Sequence, residues 1–233
     1  MAALAADRVT AQYAAVRDRV AAACRRAGRA ADAVRLVAVS KGMPPATVRA
    51  AANSGARDFG ENYVQEWQGK RDALGDLTDV TWHFIGRVQR NKAAAIAEFG
   101  LVHSVADERS ARALDAAAAR RDAALRVLLQ VNLAAESTKG GVAPAGLPSL
   151  LESARQLRWI RVRGLMIIPP PLACAEVRPF FAALRELRDA QEAPLELPEL
   201  SMGMSADFEV AIEEGATLVR VGTAIFGPRE EAV

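Results

Sequence analysis

Thirty side chains in this sequence are basic, yet only Lys41, Lys70, Lys92 and Lys139 are lysines. Arginine replaces lysine as a solvated cation, but its guanidinium stays protonated and cannot attack a carbonyl as an amine. A lysine kept where arginine is otherwise the rule is therefore a candidate for Schiff-base chemistry. Lys41 directly follows the apolar run Val34–Ser40. Flanked by apolar wall at a strand end, its amine is partly desolvated, which favours the neutral, nucleophilic form. A rim cation beside the following helix is the competing reading, and position alone does not separate the two.

A second group of candidates lies near the other end of the chain. Ser205 stands within SMGMSADFEVAI, ahead of a helical pattern, and Arg220, Gly222 and Thr223 stand within LVRVGTAIFG. Barrels built from β–α units hold phosphate with the loops after strands seven and eight, where glycine admits backbone N–H groups and a helix N-terminus adds positive potential. Ser205, Gly222 and Thr223 fit that role, although Ser205 is equally placed to cap a helix. Arg220 either reaches the barrel mouth to hydrogen-bond a ring nitrogen or neutralises Glu213 or Glu214.

Other polar residues carry weaker signals. The two histidines, His83 and His103, both fall inside strands and give a zinc site or a catalytic dyad little to build on. Alternation sets His83 opposite Trp82 and Phe84, as a mouth residue or, the favoured reading, a hydrogen-bonded core histidine. Asn91 and Lys92 after the third strand, and Glu136 and Lys139 after the fifth, face the same end and either hold an anion or lock loops by salt bridges and caps. Lys70 is read as lying on a solvated helix face. Cys24 in a helix and Cys174 in a proline-rich loop form neither a disulfide framework nor a thiolate metal site.

These side chains meet only if the chain folds as repeated β–α units. Short valine- and isoleucine-rich runs occur at Val34–Ser40, Asp58–Glu61, Thr81–Gly86, Leu101–Val105, Val127–Leu133, Val162–Ile168, Glu199–Met204 and Thr217–Phe226, with helix-length gaps between them. Runs such as VRLVAVS and RVLLQVNL are apolar throughout, as strands buried on both faces are, so the sheet is parallel. Eight units close most simply into a (β/α)8 barrel, and the lack of a Gly-x-Gly-x-x-Gly turn disfavours the open doubly wound alternative. Residues 4–27 add an amphipathic N-terminal helix stopped at Gly28 and packed outside. No linker divides the chain, so residues 1–233 are expected to form a single domain.

Composition narrows the function classes. A net charge of +2 with no run of like charge argues against a nucleic-acid binder. Charges at Asp7, Arg8, Arg17, Asp18 and Arg19 break any signal-peptide core, and no charge-free stretch approaches the roughly twenty apolar residues of a membrane span. A cytoplasmic protein is expected, with no membrane partner.

The segments AVSKG, DFGENYVQE, WHFIGRVQRNK, VNLAAESTKGGV, RGLMIIPP, LSMGMSADFEVAI and VRVGTAIFG together resemble the YggS/PROSC family of proteins of pyridoxal 5′-phosphate (PLP) homeostasis, over most of residues 34–227. The resemblance implies the PLP-binding barrel shared with the N-terminal domain of alanine racemases. It implies that Lys41 carries PLP covalently as an aldimine, Arg220 faces the pyridine nitrogen, and Ser205, Gly222 and Thr223 hold the phosphate. Asn62 would lie beside the cofactor. Departures from the family pattern are Val88 for leucine, Ile167 for a small or polar residue, and Ala106 for aspartate; Asp107 is then available to cap the next helix.

Arginine at the ring nitrogen disfavours its protonation and weakens the electron sink that PLP enzymes use. Racemisation also needs a second acid/base, which barrel racemases take from a C-terminal β-domain. The sequence stops at Val233, and Tyr13 and Tyr63 are poor substitutes. The expectation is a monomeric, non-catalytic carrier or buffer that supplies PLP-dependent apoenzymes. A one-domain racemase of low activity and a Schiff-base aldolase acting on a sugar phosphate are the alternatives.

Overall fold

The first helix shows how directly sequence pattern sets position. In a computed structural model, which describes residues 2–134, 136, 140–191, 193 and 196–228, α1 spans Ala2–Arg26. Its buried residues Val9, Tyr13, Val16, Val20, Ala23 and Cys24 recur at helical spacing and form one apolar stripe. Gly28, at φ +67°, ends the helical run. The stripe packs on the outside of the molecule, against helices flanking the first and last strands, as expected.

The strands are β1 (Arg35–Val39), β2 (Asp58–Glu61), β3 (Thr81–Phe84), β4 (Leu101–Val105), β5 (Leu125–Val131), β6 (Ile160–Ile167), β7 (Glu199–Ser201) and β8 (Leu218–Val221). All neighbours pair in parallel, and β8 returns to β1 to close an eight-stranded barrel. The helices between them are α2 (Pro45–Asn53), α3 (Val64–Ala73), α4 (Ala93–Ile96), α5 (Glu108–Ala119), α6 (Leu147–Arg155), α7 (Cys174–Asp189) and α8 (Phe208–Glu213), and α9 (Thr223–Phe226) follows β8. Two cores result. The larger lies between strands and helices. The smaller joins Val37, Leu101, Leu128, Met166 and Leu218 from five strands and fills the barrel itself.

Two local expectations change. The eighth apolar run is not one strand: β8 stops at Val221, and at Gly222 the chain turns into α9, with the Gly222 carbonyl accepting from the Ile225 and Phe226 N–H groups, both at 2.9 Å. Cys174 opens α7 rather than lying in the preceding loop. Lys139 lies outside the described residues.

Asp107 caps α5, as its position suggested: its side chain accepts from the Ser110 backbone N–H at 2.7 Å. Asp107→Ala should lower unfolding free energy by about 1 kcal/mol in a urea titration.

Candidate functional site

The C-terminal ends of the strands surround a cavity of about 370 Å³, within the usual range for a small ligand. Lys41, Asn62, Ser205, Arg220, Gly222 and Thr223 all line it. Ser205, Arg220, Gly222 and Thr223, 164 or more positions from Lys41 in sequence, thus share one wall with it, because barrel closure places the loops after β7 and β8 beside the loop after β1. Apolar side chains including Val39, Ile85, Met204 and Phe226 complete the walls.

Lys41 itself is half-buried, and the backbone on both sides of it is pinned from behind. Ser40, fully buried, donates its hydroxyl to Glu61 Oε1 at 2.6 Å, and its carbonyl accepts from Lys70 Nζ at 2.6 Å. The Gly42 N–H donates to Glu66 Oε1. Lys70 Nζ also donates to Glu61 Oε1 and Glu66 Oε1, each at 2.6 Å, so its three protons have three acceptors. Lys70 is 3% exposed, which overturns its reading as a solvated surface lysine. Burial pushes the Glu61 carboxyl above the ordinary carboxylate range, against the opposing pull of Lys70 and Ser40.

Ser205 does not cap α8. Asp207 immediately precedes α8, and its Oδ1 accepts from the Met204 N–H at 2.6 Å. Ser205 Oγ instead accepts from the Gly222 and Ala224 N–H groups, both at 3.3 Å. The hydroxyl and two backbone donors are thereby gathered where β8 turns into α9.

Arg220 is 4% exposed and faces inward. Its Nη1 donates to Ser201 Oγ at 2.6 Å and its Nη2 to the Ile167 carbonyl at 2.8 Å. Glu213 and Glu214 are engaged by Arg26, Arg178 and Arg185, so the surface salt-bridge reading of Arg220 falls away. Burial lowers its pKa to about 10, which still leaves it charged at neutral pH. Asn62 Oδ1 is buried without a hydrogen-bond partner, a costly state that a ligand group relieves. Gly86 fixes where Asn62 sits, since a Cβ there would lie 2.1 Å from the Asn62 carbonyl oxygen.

The remaining candidates sit elsewhere. Lys92 lines a smaller cavity of about 120 Å³ that touches Asn62 from the other side. Asn91 is exposed, and Glu136 exchanges hydrogen bonds with Asn132. His83 and His103 are core histidines bonded to one another at 2.9 Å. Among the described residues no cluster of His, Cys, Asp or Glu could hold a metal ion, and no helix is long and apolar enough to cross a membrane.

Residues 12–230 match the family model for the N-terminal domain of alanine racemase. A pyridoxal phosphate homeostasis protein of Aquifex aeolicus is 47% identical over 219 residues, which cover 92% of this chain and 96% of that protein. The chain belongs to the pyridoxal phosphate homeostasis protein family. A pyridoxal phosphate homeostasis protein of Pseudomonas aeruginosa is 49% identical over 217 residues, covering 92% of this chain and 93% of its own. The structure of PipY from Synechococcus elongatus with PLP bound superposes with a TM-score of 0.78 at 44% identity, over 84% of this chain and 93% of that one.

For this pyridoxal phosphate homeostasis family chain, residue-by-residue reading of the sequence missed the Glu61, Glu66 and Lys70 cluster behind Lys41. The Glu66–Lys70 spacing of four, with the acid first, was the visible half of the signal. Burial by Glu61 was not visible.

Proposed function

We propose that the chain binds pyridoxal 5′-phosphate in this cavity, covalently through the Lys41 amine, and acts in the cytoplasm as a PLP carrier or buffer without strong catalysis. The observation that carries the reading is the convergence of Lys41, Asn62, Ser205, Arg220, Gly222 and Thr223 on one cavity. Asn62 adds an amide oxygen whose partner is missing. The bound cofactor supplies an aldehyde, with which a primary amine condenses with loss of water.

Each group has a role that its environment suits. The cluster around Lys70 holds Ser40 and Gly42, and so aims the Lys41 side chain. Ser205 Oγ and the Gly222 and Ala224 N–H groups, joined by long bonds, turn toward a phosphate with the Thr223 hydroxyl beside them. Arg220, already held by Ser201 and Ile167, presents its remaining donors to a ring nitrogen. A donor that stays charged leaves that nitrogen unprotonated, which handicaps carbanion chemistry. Apart from Lys41 and Arg220, none of the described residues lining the cavity is titratable, which supports storage over racemisation. We read residues 1–233 as one domain and the working form as a monomer that serves PLP-dependent apoenzymes.

Borohydride reduction of PLP-incubated protein, followed by peptide mapping, tests the attachment. A pyridoxyl group is expected on the Lys41 peptide and absent after Lys41→Ala. Labelling that survives the substitution would refute Lys41 as the point of attachment. Incubation with alanine or serine in deuterated buffer should put no solvent deuterium on the α-carbon; incorporation would make the protein a racemase.

A further inference from the structure

His83 and His103 do not line the cofactor cavity, yet an unbroken series of hydrogen bonds ties them to Arg220. Arg220 Nη1 donates to Ser201 Oγ at 2.6 Å, and Ser201 Oγ lies 2.8 Å from His103 Nδ1. His103 Nε2 lies 2.9 Å from His83 Nδ1, and His83 Nε2 lies 2.8 Å from Asp58 Oδ1. β8, β7, β4, β3 and β2 contribute one residue each, so the series crosses the barrel interior. Ser201, His103 and His83 are buried, whereas the Asp58 side chain is 21% exposed. Asp58 opens β2, at the strand end opposite Asn62.

The two ends of the series set its direction. A guanidinium has only donors, and an ionised carboxylate only acceptors. Ser201 accepts from Arg220, so its hydroxyl proton points to His103 Nδ1. His103 then carries its own proton on Nε2 and gives it to His83 Nδ1. His83 likewise carries its proton on Nε2 and gives it to Asp58. Both rings are neutral Nε2–H tautomers, and every donor meets one acceptor. Reversing the direction would set a bare His83 Nε2 against the carboxylate, which requires an extra proton. The surroundings oppose that proton: burial holds both imidazoles below their ordinary range, Arg35, Arg126 and Arg220 add positive charge, and Asp58 alone favours protonation.

We propose that Ser201, His103, His83 and Asp58 are positioning residues for Arg220, a one-way series of neutral hydrogen-bond dipoles anchored on Asp58 that keeps the buried guanidinium turned toward the ring nitrogen of bound PLP. Among the described residues no carboxylate forms an ion pair with Arg220; Asp207 acts on it through space alone, so its hydrogen-bonded route to an acid runs through Ser201, His103 and His83 to Asp58. The proposal rests on the reading of the cavity given above.

Nitrogen NMR of the cofactor-free protein reads the series, and PLP titration reads its consequence. The protein is expected to show both imidazoles as Nε2–H tautomers near neutral pH, with slowly exchanging Arg220 guanidinium protons. Asp58→Ala should mix the His83 tautomers, quicken Arg220 exchange, weaken PLP binding about tenfold, as for loss of one charge-assisted hydrogen bond, and shift the absorbance of bound PLP. Asp58→Asn retains an acceptor and should restore the tautomers and most of the affinity. An Nδ1–H tautomer at His103, or Arg220 exchange, affinity and spectrum all unmoved by Asp58→Ala, would overturn the proposal. Failure of the unsubstituted protein to bind PLP would instead overturn the reading of the cavity, while the tautomers and Arg220 exchange still decide the series.

Discussion

Lys70→Met is expected to destabilise the protein by about 3–5 kcal/mol in a denaturant titration near neutral pH, the usual cost of stranding one partner of a buried pair. Lys70 is 3% exposed and Glu61 fully buried, and among the described residues Lys70 is the only cation bonded to Glu61. Methionine fills similar space but leaves Glu61 Oε1 with Ser40 alone and strips the Lys70 donor from the Ser40 carbonyl, which keeps the Met43 N–H. Glu61 then takes up a proton, so the loss should shrink as pH falls. Adding Glu61→Gln should recover much of the stability by removing the stranded charge. The Ser40 carbonyl would thus lose its Lys70 anchor, and the yield of borohydride labelling at Lys41 should drop with it. A loss below about 1 kcal/mol, the value of an exposed pair, would mean that water reaches this cluster.

Stability should also fall on mild acidification. In the unfolded chain both histidines titrate near pH 6.5. In the fold, burial holds His83 below that value and His103 well below it. The unfolded state therefore binds more protons, so the contribution is fully present above about pH 6.5 and is lost as pH falls toward the folded-state values. The slope can reach about 1.4 kcal/mol per pH unit for each histidine held neutral. Glu61 and Asp207 act in the opposite sense: burial raises both carboxyls, so the folded state gains protons, and stability, as pH falls through their values. The net loss should thus set in near pH 6.5 and grow as the unfolded histidines take up protons, less what Glu61 and Asp207 return. Urea midpoints across this range, in the parent and in His103→Gln, measure it; the substituted protein should show the shallower slope whatever its absolute stability. Equal slopes would mean that His103 is not held neutral.

Much of the architecture could be read in advance because it is set by local pattern. Continuous apolar runs located all eight strands, with the longest boundary error at β8, where Gly222 divides two different elements. Helical spacing located α1. Since a parallel barrel exposes the C-terminal strand ends, the residue following each run was the place to look for chemistry, which singled out Lys41 and the residues after β7 and β8. Partners across the barrel were hidden for the converse reason. His103 and Ser201 are 98 residues apart, and nothing in the pattern of either strand records which residue faces it over the interior. Lys70 looked solvated because a helix position shows its own neighbours three and four residues away, not the acid from β2 beneath it. Periodicity along the chain decided which elements form and which of their ends carry chemistry, while closure of the barrel decided which charges are buried together, because burial and pairing depend on contacts between strands that the chain brings together only once it is folded.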